Sequence, residues 1–252
     1  MKMSQVLARG LHILQRIARM PTEPTGLSAI AGELGLHPAT CARILKTLVE
    51  EGFVEQIGPK KGYILGPAAY TLGANGPYRR DVALAAEPLL IELAREVEET
   101  LVLAGLSHGR WVTLCEVDGQ QSIQVRPEVV SSHDTPYTTA TGRVCLAFLS
   151  EDELAAVLAR YGLPTEERWP GSTTRESLDA ARARIRSEAF AFRRSDGTMA
   201  LAVPVLEEGR AVAALGSYLP HFRYKGAHKK RLIAGLRRTA QAIAERVQAG
   251  VA

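Results

Sequence analysis

Few residues in this 252-residue chain are spaced for catalysis. Cys145, with His133-Asp134 upstream, offers a thiol nucleophile and its base. Yet Cys145 sits in the apolar run GRVCLAFL and reads as a core residue. The three cysteines (Cys41, Cys115 and Cys145) are odd in number, far apart and without a CxxC pair. That fits buried thiols in a reducing compartment rather than disulfides or a zinc site. HExxH, GxxxxGK and GxGxxG motifs are absent from the sequence. No enzyme, no cofactor and no metal is expected. His221 and His228 flank a basic segment and read as surface residues.

Another set of residues is spaced for binding. In PATCARILKTLVEEG, Cys41, Ile44, Leu45 and Leu48 follow i, i+3, i+4, i+7 and must face a core. Ala39, Thr40, Arg43, Lys46 and Thr47 then fall on or beside the opposite face. Short residues at the helix start and cations further along are what entry into a DNA major groove requires. Bulk near the N-terminus would block approach, whereas Arg or Lys can read guanine or grip phosphate. A helical hairpin with a merely solvated polar face has the same pattern.

The elements around this helix favour the first reading. Leu27, Ile30, Ala31 and Leu34 have helical spacing, and Gly35 can take the left-handed conformation that stops a helix. Pro38 suits the first turn of the second helix, with His37 as an uncommon N-cap. Residues 52–57 then alternate like a strand, Gly58-Pro-Lys-Lys-Gly62 makes a turn, and Tyr63–Leu65 pairs back. Helix-turn-helix followed by a small hairpin is the layout of a winged helix. Its tip, Lys60 and Lys61, would reach phosphate or minor groove. Upstream, residues 4–20 form a helix with Leu7, Leu11, Leu14 and Ala18 on one stripe.

The runs LARGLHILQRIA, LSAIAGELGLHPATCARILKTLVEEGFVEQ and GYILGPAAYTLG resemble the N-terminal domain of IclR-type transcriptional regulators. The resemblance continues through TLVLAG, PYTTATGRVCLAFL and LAVPVLEEGRAVAALGSYLP, nearly the whole chain. It implies an α+β protein: an N-terminal winged helix-turn-helix, a linker helix, and a C-terminal GAF-like effector-binding domain with an antiparallel sheet. The expected boundaries are 1–66, 67–98 and 99–252. The implied partners are double-stranded DNA with a roughly palindromic operator, a small effector, and further copies in a dimer or dimer of dimers.

Composition agrees. Residues 1–66 hold eight Lys/Arg against five Glu, three of the chain's four net positive charges. No apolar run of about eighteen residues is present, so no membrane partner is expected. The N-terminus lacks the apolar run of a signal peptide, which predicts a cytoplasmic protein. Residues 66–77, rich in Gly and Pro, mark a boundary. Residues 79–98 are helical, with Val82, Ala86, Leu89, Leu93 and Val97 on one stripe and Pro88 as a kink. That stripe is either a dimer seam or packing onto the following domain. Further on, strands are expected at 100–106, 111–117 and 122–126, and a hairpin over 201–218. Helices are expected at 139–149 and about 227–249, with capping boxes at Ser150–Glu153 and Thr173–Glu176.

The resemblance places an effector pocket between the sheet and the helix at TATG. The corresponding positions are Leu103 and Gly105, Thr139, Ala140, Thr141 and Gly142, Arg193 and Arg194, Ala200, and Gly216 with Tyr218. The sequence departs from the family pattern here: Arg193 and Arg194 replace acidic residues, Ala200 a cysteine, and Gly216 and Tyr218 a pair of serines. Apolar walls with arginine fit an anionic effector with an apolar or aromatic body, a small aromatic carboxylate, rather than a small keto acid. The rival reading is a ligand-binding or enzymatic module whose winged helix serves protein contacts.

Overall fold

The computed structural model describes residues 4–18, 23–75, 79–107, 109–125, 135–195 and 197–250. They form two compact units, one ending at Asn75 and one beginning at Arg79. His133 and Asp134 lie outside the described residues.

The first unit runs α1 (Gln5–Ala18), α2 (Leu27–Glu33), α3 (Pro38–Glu50), β1 (Val54–Gly58), β2 (Gly62–Leu65) and α4 (Pro67–Asn75). Ile13, Ile17, Ile30, Ala31, Cys41, Ile44, Leu45 and Val54 make its core. Helix α1 buries a different stripe from the one its sequence suggests: Gly10, Ile13 and Ile17. Leu7 is 64% exposed and Leu11 50%. The helix is apolar around much of its girth, and Ile13 and Ile17 take the core side. Gly10 faces Ile44 of α3, where a Cβ would stand at an ordinary contact distance of 3.6 Å from Cγ2. The Gly/Pro-rich stretch after the hairpin is helical, as α4. Its entry is pinned at Gly66, where a Cβ would meet Gly52 O at 2.3 Å.

The second unit is a five-stranded antiparallel sheet in the order β4-β3-β7-β6-β5. Its strands are β3 (Thr100–Ser107), β4 (Arg110–Val117), β5 (Ala191–Ser195), β6 (Thr198–Glu207) and β7 (Arg210–Pro220). Helices α5 (Arg80–Val97) and α9 (Gly226–Gln248) cover one face, over Leu101, Leu103, Leu201 and Leu215. Helices α6 (Ala140–Ala147), α7 (Glu151–Tyr161) and α8 (Arg175–Glu188) belong to the cluster on the other face, with Ala200, Ala202 and Ala214.

Three local expectations change. Val82 and Leu93 are core residues and Leu89 packs against that core, so the α5 stripe is domain packing and not a dimer seam. Residues 122–125 carry no strand, because the sheet edge beside β4 is left unpaired by this segment. The capping box at Ser150–Glu153 is present, but the one before α8 is shifted by one residue, to Thr174 and Ser177.

Two ion clusters, each built on one buried charge, brace this unit. Glu99, 1% exposed, accepts 2.7 and 2.6 Å hydrogen bonds from Arg223, and its Oε1 lies 3.0 Å from His228 Nε2. Arg182, 2% exposed, contacts Glu151 at 2.9 Å and Asp179 at 3.1 Å and donates to the carbonyls of Leu146 and Leu149. Buried charge is tolerated because every fork is occupied.

Candidate functional site

The first unit presents α3. The His37 side chain caps it, accepting from Ala39 N–H at 3.3 Å through Nδ1. Gly35, at φ +60°, and the Leu36 N–H to Ala31 O bond of 2.9 Å set the turn between α2 and α3. With Cys41, Ile44 and Leu45 buried, Ala39, Lys46 and their neighbours make the open face: Ala39 and Lys46 are exposed, and Thr40, Arg43 and Thr47 follow the same side of the helix. Lys46 has Glu50 at 3.7 Å, and Thr47 Oγ1 donates back to Arg43 O at 3.3 Å. Arg43 forms no ion pair among the described residues.

The hairpin is fixed from outside. Thr25 exchanges two backbone hydrogen bonds with Tyr63, at 2.9 and 3.0 Å, which adds a bridge to β2. Gly62 accepts this at φ +101°; a Cβ would meet Pro24 and Thr25 at 3.0 to 3.1 Å. Lys60, itself left-handed at φ 62°, and Lys61 stand exposed at the tip. On the α1 side an apolar groove of about 490 Å³ is lined by Val6, Leu7, Leu11, Phe53 and Leu72 and bordered by Arg43 and Thr47.

In the second unit α6 starts at a strong cap: Thr139 Oγ1 accepts from Gly142 N–H at 2.9 Å. Gly142 is needed, since a Cβ would lie 2.3 Å from Pro136 O. Helix α6 lies on small residues of the sheet, Ala104, Ala202, Ala214 and Gly216, all buried. Tyr218, Ala200 and Arg193 are direct cross-strand partners and so form one row on this face, with Thr100 beside Tyr218. Trp111 Nε1 donates to Thr141 Oγ1 at 3.0 Å.

The charges are set by burial. The Tyr218 phenol is pushed up to about 12 by burial, and nearby Glu116 adds to the effect, while Thr141 and Arg193 pull it back part-way. It is therefore a neutral hydroxyl at pH 7. Arg143 is lowered to about 10, first by burial and then by Arg193. Its guanidinium donates to the carbonyls of Tyr137 (2.8 Å), Arg168 (2.9 Å) and Phe192 (3.4 Å) and stacks over Trp169. No carboxylate pairs with Arg143 or Arg193 among the described residues. The Cys145 thiol is raised to about 12 by burial, which removes it as a nucleophile at neutral pH.

Most of the expected pocket residues come together: Thr139, Ala140, Thr141, Gly142, Arg193, Ala200, Gly216 and Tyr218. Leu103 and Gly105 do not. Leu103 pairs with Leu215 in the α5/α9 core, and a Cβ on Gly105 would approach Leu114. Side chains alternate along a strand, so Val102 and Ala104 are the β3 residues on the α6 face. Arg194 is likewise across the sheet from Arg193, opposite Met199. Two residues of this site went unassigned in the sequence: Trp111, and Arg143, although the TATGR run contains it.

Both units match known protein families. The helix-turn-helix domain of IclR matches residues 6–58, and the bacterial transcriptional regulator IclR C-terminal domain matches residues 78–245. The chain belongs to the IclR family. It is 32% identical over 154 residues to the HTH-type transcriptional regulator TtgV of Pseudomonas putida, covering 61% of this chain and 58% of TtgV, less than two thirds of that relative's length. To the HTH-type transcriptional regulator XynR of Escherichia coli it is 30% identical over 221 residues, 85% of this chain and 86% of XynR. The crystal structure of an IclR homolog from Microbacterium hydrocarbonoxydans, complexed with 4-hydroxybenzoate, superposes with TM-score 0.74 at 22% identity, covering 97% of this chain and 100% of that one. The IclR family relatives are transcriptional regulators and not enzymes. Among the described residues no helix is long and apolar enough to cross a membrane.

Proposed function

We propose that this IclR-family chain is a cytoplasmic regulator that binds DNA through α3 and the hairpin and is modulated by a small molecule bound between α6 and the sheet. The observation that carries the DNA contact is the open face of α3, with Arg43 free of any ion pair among the described residues and set between Ala39 and Lys46. Ala39, Thr40, Arg43, Lys46 and Thr47 enter the major groove, and Lys60 and Lys61 reach the backbone beside it. One winged helix makes few base contacts, so specificity needs two half-sites and a roughly palindromic operator. A second copy packs on the exposed apolar face of α1, with Leu7, Leu11 and the Leu72 side of the groove. The assembly is a dimer or a dimer of dimers.

For the effector, the row Tyr218–Ala200–Arg193 pairs a neutral hydroxyl donor, an apolar floor and a guanidinium that forms no ion pair among the described residues. An anion near Arg193 would also relieve its repulsion with Arg143. These features support a small aromatic carboxylate. Footprinting and gel shift on the DNA upstream of the chain's own gene, with and without 4-hydroxybenzoate as probe, test both halves. A protected segment is expected, and its affinity should change with the acid but not with its amide. No protected segment would overturn the DNA-binding reading, and an equal response to acid and amide would overturn the carboxylate.

A further inference from the structure

The segment His221-Phe-Arg-Tyr-Lys-Gly-Ala-His-Lys-Lys-Arg231 has seven basic or imidazole side chains and no acid. It covers a 3-10 turn, His221–Arg223, and the start of α9. Two of the seven have internal work: Arg223 and His228 hold Glu99, which is sealed from solvent. Four others, Lys225, Lys229, Lys230 and Arg231, are exposed, and none has an ion pair among the described residues. Lys229 stacks its ammonium 4.9 Å from the Tyr224 ring, and Phe222 beside them is 59% exposed.

Folding does not explain this placement. The start of a helix carries partial positive charge, and cations there are unfavourable. Helix α9 has no acid in its first turn, whereas α7 and α8 do. The cations of the second half of α9 differ: Arg238 pairs with Glu96 at 2.5 Å, and Arg237 donates to Glu188 O at 3.2 Å. An uncompensated cluster held on the wrong end of a 23-residue helix, interleaved with aromatic rings, is complementary to a polyanion.

We propose that this face of α9 is a second, sequence-independent contact for the phosphate backbone of duplex DNA. The inference rests on the DNA-binding reading above and adds the effector-binding unit to the contact. Lys225, Lys230 and Arg231 grip phosphate, while Lys229 and Tyr224 shape the surface. DNA extending beyond the operator is then held as well as the operator itself, and affinity gains a strongly salt-dependent component that carries no sequence information.

The test uses the full-length protein and two duplexes from the DNA upstream of its gene. One is trimmed to the footprinted segment and the other extends beyond it on both sides. The parent should bind the extended duplex more tightly. The triple variant Lys225→Gln/Lys230→Gln/Arg231→Gln should lose that advantage and keep its binding to the trimmed duplex. On the extended duplex, its slope of log K against log salt should fall by about 0.9 for each phosphate no longer neutralised. Removing cations from a helix start leaves the thermal midpoint unchanged or raises it, which checks the fold. Lys225→Arg should behave as the parent. A triple variant with unchanged affinity and slope on the extended duplex overturns the inference. So does unchanged DNA binding together with a silenced transcriptional reporter, which would give the face to a protein partner. Arg43→Ala should weaken binding to both duplexes; a parent that protects no segment overturns the DNA-binding reading itself, and this face with it.

Discussion

Thr141 and Gly216 meet only because one of them lacks a side chain. A Cβ on Gly216 would stand 2.7 Å from Thr141 Cγ2 and 2.8 Å from Leu201 O. The glycine therefore serves packing and leaves no room beside Thr141. It lets the first turn of α6 descend onto β7, bringing Thr141 within reach of Trp111.

Gly216→Ala should consequently act on packing. Overfilling this contact is expected to cost about 1–3 kcal/mol, read as a lowered denaturant midpoint of the second unit. Stability equal to the parent's would mean that α6 does not sit on β7 as described.

The two arginines of β5 should separate cleanly. Arg193→Ala is expected to abolish the thermal shift produced by 4-hydroxybenzoate, and Arg194→Ala to leave it intact, because they lie on opposite faces of the sheet. Isothermal titration of both variants checks this; equal losses would refute the assignment.

On the DNA side, Arg43→Ala should cost about 1–3 kcal/mol and relax specificity at one position of each half-site. Lys60→Ala and Lys61→Ala should weaken all sequences alike and flatten the salt dependence. Competition with operator variants distinguishes the two patterns, and an Arg43→Ala protein with parental selectivity would exclude this docking.

Leu7→Glu or Leu11→Glu should convert the assembly toward monomer with little loss of folded stability, since both side chains are solvated in the single chain. Sedimentation velocity at micromolar concentration gives the answer. A dimer unaffected by either change would place the interface elsewhere.

Acid should loosen the Arg182 cluster. The Glu151 carboxyl is held below its ordinary 4.5 by hydrogen bonds from Arg182 and Arg175, and Asp179 below its ordinary 3.8 by Arg175 and then Arg182. Folded values below unfolded ones mean that folding favours the ionised forms. This stability is complete above the unfolded carboxylate range and is lost as pH falls through it toward the folded values. Thermal midpoints taken down a pH series should drop in that window, and Glu151→Gln should flatten the drop. A variant with the parental pH profile would show that the cluster is not responsible.

Much of the DNA-binding unit was legible because Cys41, Ile44, Leu45 and Leu48 lie on one helix face whatever surrounds them. Helix α1 was not, since Leu7-Leu11-Leu14 and Gly10-Ile13-Ile17 are both plausible core stripes and only the packing of Ile13 and Ile17 in the tertiary core chooses between them. The pocket suffered from a similar ambiguity. TLVLAGL is buried on both faces, so it shows no alternation to say that Val102 and Ala104, rather than Leu103 and Gly105, look toward α6. The braces escaped altogether: Glu99 and Arg223 are 124 positions apart, and nothing local marks them as partners.

The register Leu103↔Leu215 has a consequence for how the molecule is made. Strand β3 sits inside the sheet, but one of its neighbours, β7, emerges from the ribosome more than a hundred residues later. Until then β3 and β4 are a hairpin with one apolar edge uncovered, a state that invites association with other chains. The helices of the first unit, α1 to α3, close on contacts nearer in sequence and can be finished while the sheet is still waiting. Premature truncation before β7 should therefore release a folded head on an aggregating tail, rather than a shortened regulator.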